Sequence, residues 1–473
     1  MHKLAYRFHF IPVASIIVIA ILATVLVYVP VNTPDSDRFL EQAASIVSGK
    51  GYRYMGALET FLPPGYPMFI ALIKFFGGND YALRGMQVFL FITSCTLIFF
   101  SIMNSGTKSP LLAMIGGIAL AIHPTAVRFV GYILSETFAL FLCSLLMFFA
   151  STVGRDPFRK SSSFCFGVLA VALALTSPAA IVLCACLFIY MLGTLILAQR
   201  VSNIALLFVG SLIVMLPWQW HCIQATGSIC PTLYTRNPVG FAFNDNEANG
   251  YYQWFRTWST GEMDIEALVK KDPSKARSTD FSADAELIDR VRRSTELTND
   301  SLAALNKFYY DRAARNREDS SIRQLIGLPL LRSFTLWFYM PQISHVQMEY
   351  VGRLSPADLM GDYREYGAKI AALRFAKSLL STIIYLLYIT YPIFLIAALV
   401  IGVWQRNPMI LLICGSILVY TLISGFTALG ESRRNIVFAA AILYLLGLIS
   451  SDRASALIAT PFSRKLVTGA GRG

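Results

Sequence analysis

With 473 residues, of which 55% are hydrophobic and only 14% charged, the chain is too apolar for a soluble globular domain. A mean hydropathy of +0.56 indicates an integral membrane protein with several spans. The net charge of +12 would suit a nucleic-acid partner, but most basic residues flank hydrophobic segments as the positive-inside rule requires. We therefore expect membrane lipids as partners and no nucleic acid.

Apolar segments recur along the chain, and a window of about 20 residues finds about ten of them. The stretch 164–198 is ambiguous, because Thr176-Ser177-Pro178 divides it into either two short spans or one span and a re-entrant piece; an even count favours two. The fold class expected is an all-α polytopic membrane protein with about ten transmembrane helices. They lie near 10–29, 81–103, 110–124, 132–153, 164–177, 179–198, 202–217, 375–403, 408–427 and 435–450.

The orientation of these spans follows from the basic residues between them. The first span is expected to be retained, because no small-residue cleavage site follows Val29. A cytoplasmic N-terminus places the basic loops and the C-terminus in the cytoplasm of a multi-pass cell-membrane protein. The basic residues concerned are Lys108, Arg155, Arg159, Lys160, Arg200, Arg406, Arg453, Arg464 and Lys465.

Four regions follow from this topology. An N-terminal transmembrane module, 1–217, contains a first outer loop at 30–80. An extracytoplasmic segment, 218–374, separates it from the C-terminal helices at 375–450, and a basic cytoplasmic tail occupies 451–473. Function is expected in the two large outer segments.

The first outer loop begins with Pro34-Asp35-Ser36-Asp37-Arg38-Phe39, which places two carboxylates and an arginine at the membrane surface. An amphipathic helix is expected to follow and to stop at Gly49 and Gly51; its apolar face consists of Phe39, Ala43, Ile46 and Val47. After Pro63-Pro64 the apolar run Met68 to Phe76 is too short to span. We expect two amphipathic helices in the plane of the interface.

The second outer segment leaves the membrane at Pro217-Trp218 and is expected to be mostly helical, with an interfacial stretch at 322–340. Its aromatic residues would either stack on sugar or anchor at the interface: Tyr251, Tyr252, Trp254 and Trp258. Cys222 and Cys230 both lie in it, and the sequence leaves open whether they form a disulfide or remain two free thiols.

Several short motifs occur in a characteristic order along the chain. After the acidic segment and Pro63-Pro64-Gly65-Tyr66-Pro67 come His123-Pro124, Leu134-Ser135-Glu136-Thr137, Pro217-Trp218 and Glu431-Ser432-Arg433-Arg434. In this order and placement the chain resembles the GT-C polyprenyl-phosphate-dependent glycosyltransferases, which include protein O-mannosyltransferases and lipid A aminoarabinose transferases. It departs from their pattern at Leu62, Ser177, His221-Cys222 and Arg434.

The resemblance implies an inverting glycosyltransferase that moves a sugar, hexosyl or pentosyl, from a polyprenyl-phosphate donor to an acceptor hydroxyl of a lipid, glycan or protein on the outer face. Its chemistry needs a base for the hydroxyl and cations for the departing phosphate. Asp35 is the first candidate for the base and Asp37 the second. The alternative is that either aspartate only caps the following helix.

Arginines on the outer side are the candidates for the phosphate site. Arg433 and Arg434, which share a tight loop with Glu431, qualify best. The other candidates are Arg38, Arg84 and Arg128, each of which could equally reach ordinary lipid head groups. Glu136 is expected to pair with Arg128 or with an arginine of the last loop, either as a structural pair or as part of the substrate site. His123 is expected to be a hydrogen-bonding residue at a helix end.

No definite cofactor follows from the sequence. No residue cluster has metal-ligand spacing, and a divalent cation shared by Asp35 and a phosphate stays open. The alternative functions are an oligosaccharide ligase or polymerase of the same broad class, a multi-span transporter, and a non-catalytic protein that binds lipid-linked sugar.

Overall fold

The computed structural model describes residues 2–54, 56–59, 62–107, 109–153, 160–227, 229, 311, 314–315, 318, 322–338, 355–427 and 435–450. The chain divides into two compact units. The first consists of Met1–Thr235, Met340–Val419 and Arg433–Gly473, and the second of Arg236–Tyr339 and Tyr420–Ser432.

The described part of the chain is mostly helical, which confirms the predicted fold class. A single hairpin in it pairs β1 (Arg53–Tyr54) with β2 (Ala57–Leu58), Arg53 opposite Leu58. A 3-10 turn (Pro178–Ala180) precedes α9 and a π turn (Arg323–Gly327) precedes α11. The helices are α1 (His2–Val27), α2 (Pro34–Val47), α3 (Gly65–Phe75), α4 (Asp80–Asn104), α5 (Pro110–Ala121), α6 (Pro124–Phe129), α7 (Ser135–Val153), α8 (Lys160–Ala174), α9 (Ile181–Leu197), α10 (Val201–Thr226), α11 (Leu328–Phe338), α12 (Pro356–Gln405), α13 (Pro408–Thr427) and α14 (Ile436–Ile449).

The fold is that of a multi-pass membrane protein. Within the described residues, six helical segments are long and apolar enough to cross a membrane, judged by length and composition. They are Phe10–Val27, Asp80–Asn104, Ser135–Thr152, Pro178–Leu197, Val201–Ala225 and Ile370–Gln405. The remaining four predicted spans coincide with shorter apolar helices, Pro110–Ala121, Lys160–Ala174, Pro408–Ser424 and Ile436–Ile449.

The structure decides one helix boundary that the sequence left open and moves another from its predicted position. The stretch 164–198 forms two helices, because Pro178 has no backbone N–H to continue α8 and starts a short turn before α9. The predicted span 375–403 belongs to a longer helix, α12, which begins at Pro356. Residues 356–374 contain several charged side chains, so the apolar stretch begins well after the first residue of the helix.

Small residues allow the helices of the first unit to approach closely. A Cβ on Gly167 of α8 would overlap the backbone of α10 at Leu207, and a Cβ on Gly210 of α10 would overlap the backbone of α8 at Phe164. Such reciprocal close approach is a usual way for helices to pack where lipid removes the hydrophobic driving force.

The last helix, α14, is buried along most of its length. Its Gly447 faces Ile102 at the C-terminal end of α4, where an added Cβ would lie 2.9 Å from the Cα of Ile102. The two helices therefore run in the same direction. The start of α14 lies at the end of the bundle where α4 starts, and we call this end, where α1 ends and α4, α7 and α14 begin, the Asp35 end.

The helices α2 and α3 pack against each other over the Asp35 end. Ala43 of α2 and Tyr66 and Ile70 of α3 form a core with Leu83 and Ile133. The edge of the Tyr66 ring meets Phe39, with ring centroids 5.1 Å apart. Phe39, Ala43 and Ile46 of the predicted apolar face thus pack, whereas Val47 is exposed. The helix stops before Gly49, whose φ of 74° suits glycine.

In the second unit, α11 carries the described contacts. Trp337 donates a hydrogen bond from Nε1 to Oγ1 of Thr421 at 2.8 Å, and the hydroxyl of Ser333 donates to the Thr421 carbonyl at 3.3 Å. Arg332, which interrupts the apolar stretch, is buried. Most of the predicted extracytoplasmic segment, including the aromatic residues at 251–258, lies outside the described residues.

Candidate functional site

The acidic segment forms the first turn of α2, and its cap is not an aspartate. Thr33 is the N-cap residue: its hydroxyl accepts from the Ser36 amide at 3.2 Å, and Ser36 Oγ accepts from the Thr33 amide at 3.0 Å. This reciprocal capping box, with Pro34 at the start of the helix, satisfies the first backbone donors. Asp35 and Asp37 are both exposed. The capping role that competed with a chemical role for the two aspartates is therefore filled by Thr33.

Arg38, one turn after Asp35, is held by a carboxylate that sequence reasoning missed. Its Nη2 lies 2.5 Å from Oε2 of Glu59, a residue only 2% exposed. The guanidinium also stacks 4.6 Å above the Tyr54 ring. Gln42, one helical turn along α2, donates to the same Glu59 oxygen at 2.9 Å. The signals available in the sequence were a lone acid close to Pro63-Pro64 and the i, i+4 spacing of Arg38 and Gln42.

The backbone of Glu59 connects this cluster to the end of α10. His221 Nε2 donates to the Glu59 carbonyl at 2.6 Å, and its ring stacks on Trp218 with centroids 5.6 Å apart. Tyr52 packs against both rings, and its hydroxyl donates to the Leu62 carbonyl at 2.9 Å. In the sequence, His221 is only a departure from a family pattern. In the structure, its hydrogen bond holds the loop that carries Glu59.

Cys222 follows His221 and is disulfide-bonded. The six other described cysteines are free. Cys230 lies outside the described residues, so its pairing with Cys222 stays a prediction.

Arg84, on the first half of α4, is buried and donates to groups of the protein. Its Nη1 donates to the Gly131 carbonyl, and its Nη2 donates to Oδ1 of Asn32 at 2.5 Å. Gln87, one turn along α4, donates to the Tyr132 carbonyl at 2.8 Å. These contacts hold the link between α1 and α2 against the loop before α7.

Arg128, on α6, is half-buried and contacts a neutral partner. Its Nε and Nη2 donate to the hydroxyl of Tyr132 at 3.2 and 2.8 Å. Among the residues that the structure describes, the ion pairs are Arg38 with Glu59 and Lys74 with Asp80. The expected pair of Arg128 with Glu136 is therefore not formed there, and the positive charge of Arg128 stays uncompensated by those residues.

Glu136 is buried in the first turn of α7, close to Tyr66 and Arg84. Burial, together with the negative charge of Glu136, raises the pKa of Tyr66 well above its usual value, and the positive charge of Arg84 opposes this shift. Tyr66 is therefore a neutral phenol at physiological pH. The three residues form a buried polar layer where α3, α4 and α7 meet.

His123 is the N-cap of α6, where its Nδ1 accepts from the Ala126 amide at 3.2 Å. This confirms its expected role as a hydrogen-bonding residue at a helix end. Glu431, Arg433 and Arg434 lie outside the described residues. The chain enters α14 at Asn435, one residue after Arg434, and it does so at the Asp35 end.

Within the described part of the chain, no three His, Cys, Asp or Glu side chains come together as a metal site. Asp35, Arg38, Arg84, Arg128 and Glu136 are all at the Asp35 end. The structure gathers these predicted residues at one end of the bundle and adds Glu59, Gln42, His221 and Tyr132 to them.

No protein-family model and no curated protein sequence matches the chain. Among solved structures, the chain is similar to ArnT from Cupriavidus metallidurans in a crystal structure bound to undecaprenyl phosphate, with 15% identity, a TM-score of 0.37, and 91% of this chain and 77% of that chain covered. Its apo structure matches with 15% identity and a TM-score of 0.37, covering 95% of this chain and 78% of that chain. A similarity of this strength carries no conclusion about activity.

Proposed function

We propose that the protein is an inverting membrane glycosyltransferase that moves a sugar from a polyprenyl-phosphate donor to an acceptor hydroxyl on a lipid, glycan or protein. The observation that carries the proposal is the exposed pair Asp35 and Asp37 in the first turn of α2, with capping already provided by Thr33 and Ser36. The helix that carries them is anchored through Arg38 to the buried Glu59. An exposed acid on a fixed helix is what a general base requires.

Asp35 acts as the base in this proposal. Its carboxylate takes the proton of the acceptor hydroxyl while the hydroxyl oxygen attacks the anomeric carbon. The bond from that carbon to the phosphate oxygen breaks, and its electron pair remains on the phosphate, which is a good leaving group. Asp37 is the second candidate, and its side chain points in a different direction because the two residues are only two apart on a helix.

Arg128 is our candidate for the phosphate among the described arginines, because its charge faces a phenol rather than a carboxylate. Arg433 and Arg434, with Glu431, are the second set, because they share the predicted outer loop just before α14 in the sequence. Arg38 and Arg84 donate to groups of the protein, so we assign them a role in holding the site. Glu136 has the same role, because it lies in the buried polar layer with Arg84 and Tyr66. A divalent cation at Asp35 would need phosphate and water for its remaining ligands.

The Asp35 end faces outward in this proposal, with both termini in the cytoplasm. Lys160 and Arg200 support it, because they begin α8 and α10 at the opposite end of the bundle. Alkaline phosphatase fused after Arg406 should be inactive in cells, and the same enzyme inserted after Gly78 should be active. The reverse pattern would contradict the orientation.

The experiment that tests the function is transfer of radiolabelled sugar from polyprenyl-phosphate donors to membrane extract by purified protein at equal amounts. We expect Asp35→Asn to lower the rate about 100-fold or more, the usual contribution of a general base. The matched control is Asp80→Asn, which also removes an exposed first-turn carboxylate, and it should transfer at the wild-type rate.

Other outcomes separate the alternatives. Loss of transfer in Asp37→Asn alone would move the base to Asp37, and equal transfer by all variants would remove the catalytic assignment. Transfer of a whole lipid-linked oligosaccharide would favour a ligase or polymerase. No transfer by the wild type with any donor would favour a transporter or a binding protein.

A further inference from the structure

The link between α1 and α2 runs directly against the loop that precedes α7. The Val31 amide donates to the Gly131 carbonyl at 3.2 Å, and Val31 forms a parallel β-bridge with Tyr132. The approach is tight, because a Cβ on Gly131 would overlap the carbonyl oxygen of Val29 and lie 3.0 Å from its carbonyl carbon. Glycine at 131 is therefore required by close contact between two stretches of backbone.

Two side chains of α4 reinforce this contact. Arg84 donates to both sides of it, to the Gly131 carbonyl and to Asn32 Oδ1. Gln87 donates to the Tyr132 carbonyl. A buried guanidinium with two such acceptors is costly to displace, so the contact has one preferred geometry.

The two stretches carry different parts of the proposed site. Asn32 is followed by the cap residue Thr33 and, two residues later, by Asp35. On the other side, the hydroxyl of Tyr132 accepts from Arg128. The bridge between Val31 and Tyr132 thus sets the position of Asp35 relative to Arg128.

We propose that Gly131, Arg84 and Asn32 are positioning residues that hold Asp35 in register with Arg128, a role that rests on the proposed function. A base must lie within hydrogen-bond reach of the hydroxyl while the phosphate is bound, and a displacement of about 1 Å can cost about 100-fold in rate. The substitution Gly131→Ala forces a displacement of this size at Val29. We expect it to lower kcat for sugar transfer 10- to 100-fold, with a smaller change in KM for the donor.

A double-mutant cycle distinguishes positioning from a general loss of structure. The four proteins are the wild type, Gly131→Ala, Asp35→Asn and the double variant, assayed by sugar transfer at equal amounts of folded protein. If Gly131 acts through Asp35, the second substitution costs little once Asp35 is gone, and the effects are strongly non-additive. Additive effects would overturn the inference and leave the proposed function intact. An Asp35→Asn variant as active as the wild type would instead overturn the proposed function.

Two further sets of variants guard against misfolding of Gly131→Ala. Gly85→Ala, where an added Cβ meets nothing within 4 Å, is the glycine control and should transfer normally. Asn32 is exposed, so shortening its side chain opens no cavity, and unfolding midpoints measured on the same samples report any loss from the acceptor of Arg84. We expect Asn32→Ala to lower kcat several-fold and Asn32→Asp, which keeps an acceptor for Arg84, to retain the wild-type rate. Wild-type rates for both Asn32→Ala and Gly131→Ala would overturn the inference, as would equal losses in Asn32→Ala and Asn32→Asp.

Discussion

Arg38 and Arg128 lie at the same end of the bundle in contrasting surroundings. Arg38 faces Glu59, a buried carboxylate 2.5 Å away, so its charge is already neutralised within the protein. Arg128 faces the phenol of Tyr132, which accepts hydrogen bonds but carries no charge. The difference shows that an arginine at the Asp35 end need not be a ligand site. A phosphate is attracted to the arginine whose charge is uncompensated.

Removing Glu59 should give the largest effect, because it leaves the half-buried Arg38 without its buried carboxylate. We expect Glu59→Ala to lower the free energy of unfolding by about 3–5 kcal/mol, the usual result of breaking a buried pair from one side. The measurement is the thermal unfolding midpoint of the purified protein in detergent. Asp80→Asn is the matched control, because its pair with Lys74 is exposed and should contribute less than about 1 kcal/mol. A Glu59→Ala protein as stable as the wild type would erase the contrast between the two arginines.

Arg128→Ala should affect transfer more than stability. The loss of a charge-assisted contact to phosphate, about 1.5–3 kcal/mol, predicts a rise of roughly 10- to 150-fold in KM for the donor. Arg128→Lys keeps the charge without the planar fork and should give an intermediate value. Kinetics over a range of donor concentrations give these values, with unfolding midpoints measured on the same samples. An unchanged KM in Arg128→Ala would favour Arg433 and Arg434 as the residues that bind the phosphate.

Tyr132→Phe should give the smallest effect. The substitution removes the hydroxyl that orients Arg128 and keeps the ring. The charge of Arg128 remains and can still reach the phosphate, so the loss should be smaller than the charged contact removed by Arg128→Ala. We expect KM for the donor to rise by at most about tenfold, with no change in the unfolding midpoint. The control is Tyr54→Phe, which keeps the ring under Arg38 and should behave as the wild type. A larger effect in Tyr54→Phe than in Tyr132→Phe would reverse the roles given to the two arginines.

The helices and the position of the acidic segment were predictable from the sequence. All ten predicted spans coincide with apolar helices, because a lipid-facing or buried helix must be apolar over most of its length. The start of α2 was visible in Pro34 and its end in Gly49, since these residues have strong local preferences. Asp35 and Arg128 became candidates for a related reason, as charges next to apolar runs, and their roles stay predictions.

The partners of those residues were decided by the tertiary structure. Glu59 and His221 are 162 positions apart in sequence, yet His221 donates to the carbonyl of Glu59. Which arginine faces a carboxylate and which a phenol depends on how α2, α4 and α6 pack, and no local pattern records it. Gly131 is the clearest case. Nothing near it in sequence shows that it must be small; the requirement comes from the backbone of Val29, about 100 residues earlier, which packs against it. Local chemistry fixed the elements of this protein and the charges beside them, whereas contacts between segments far apart in sequence determined what each charge faces.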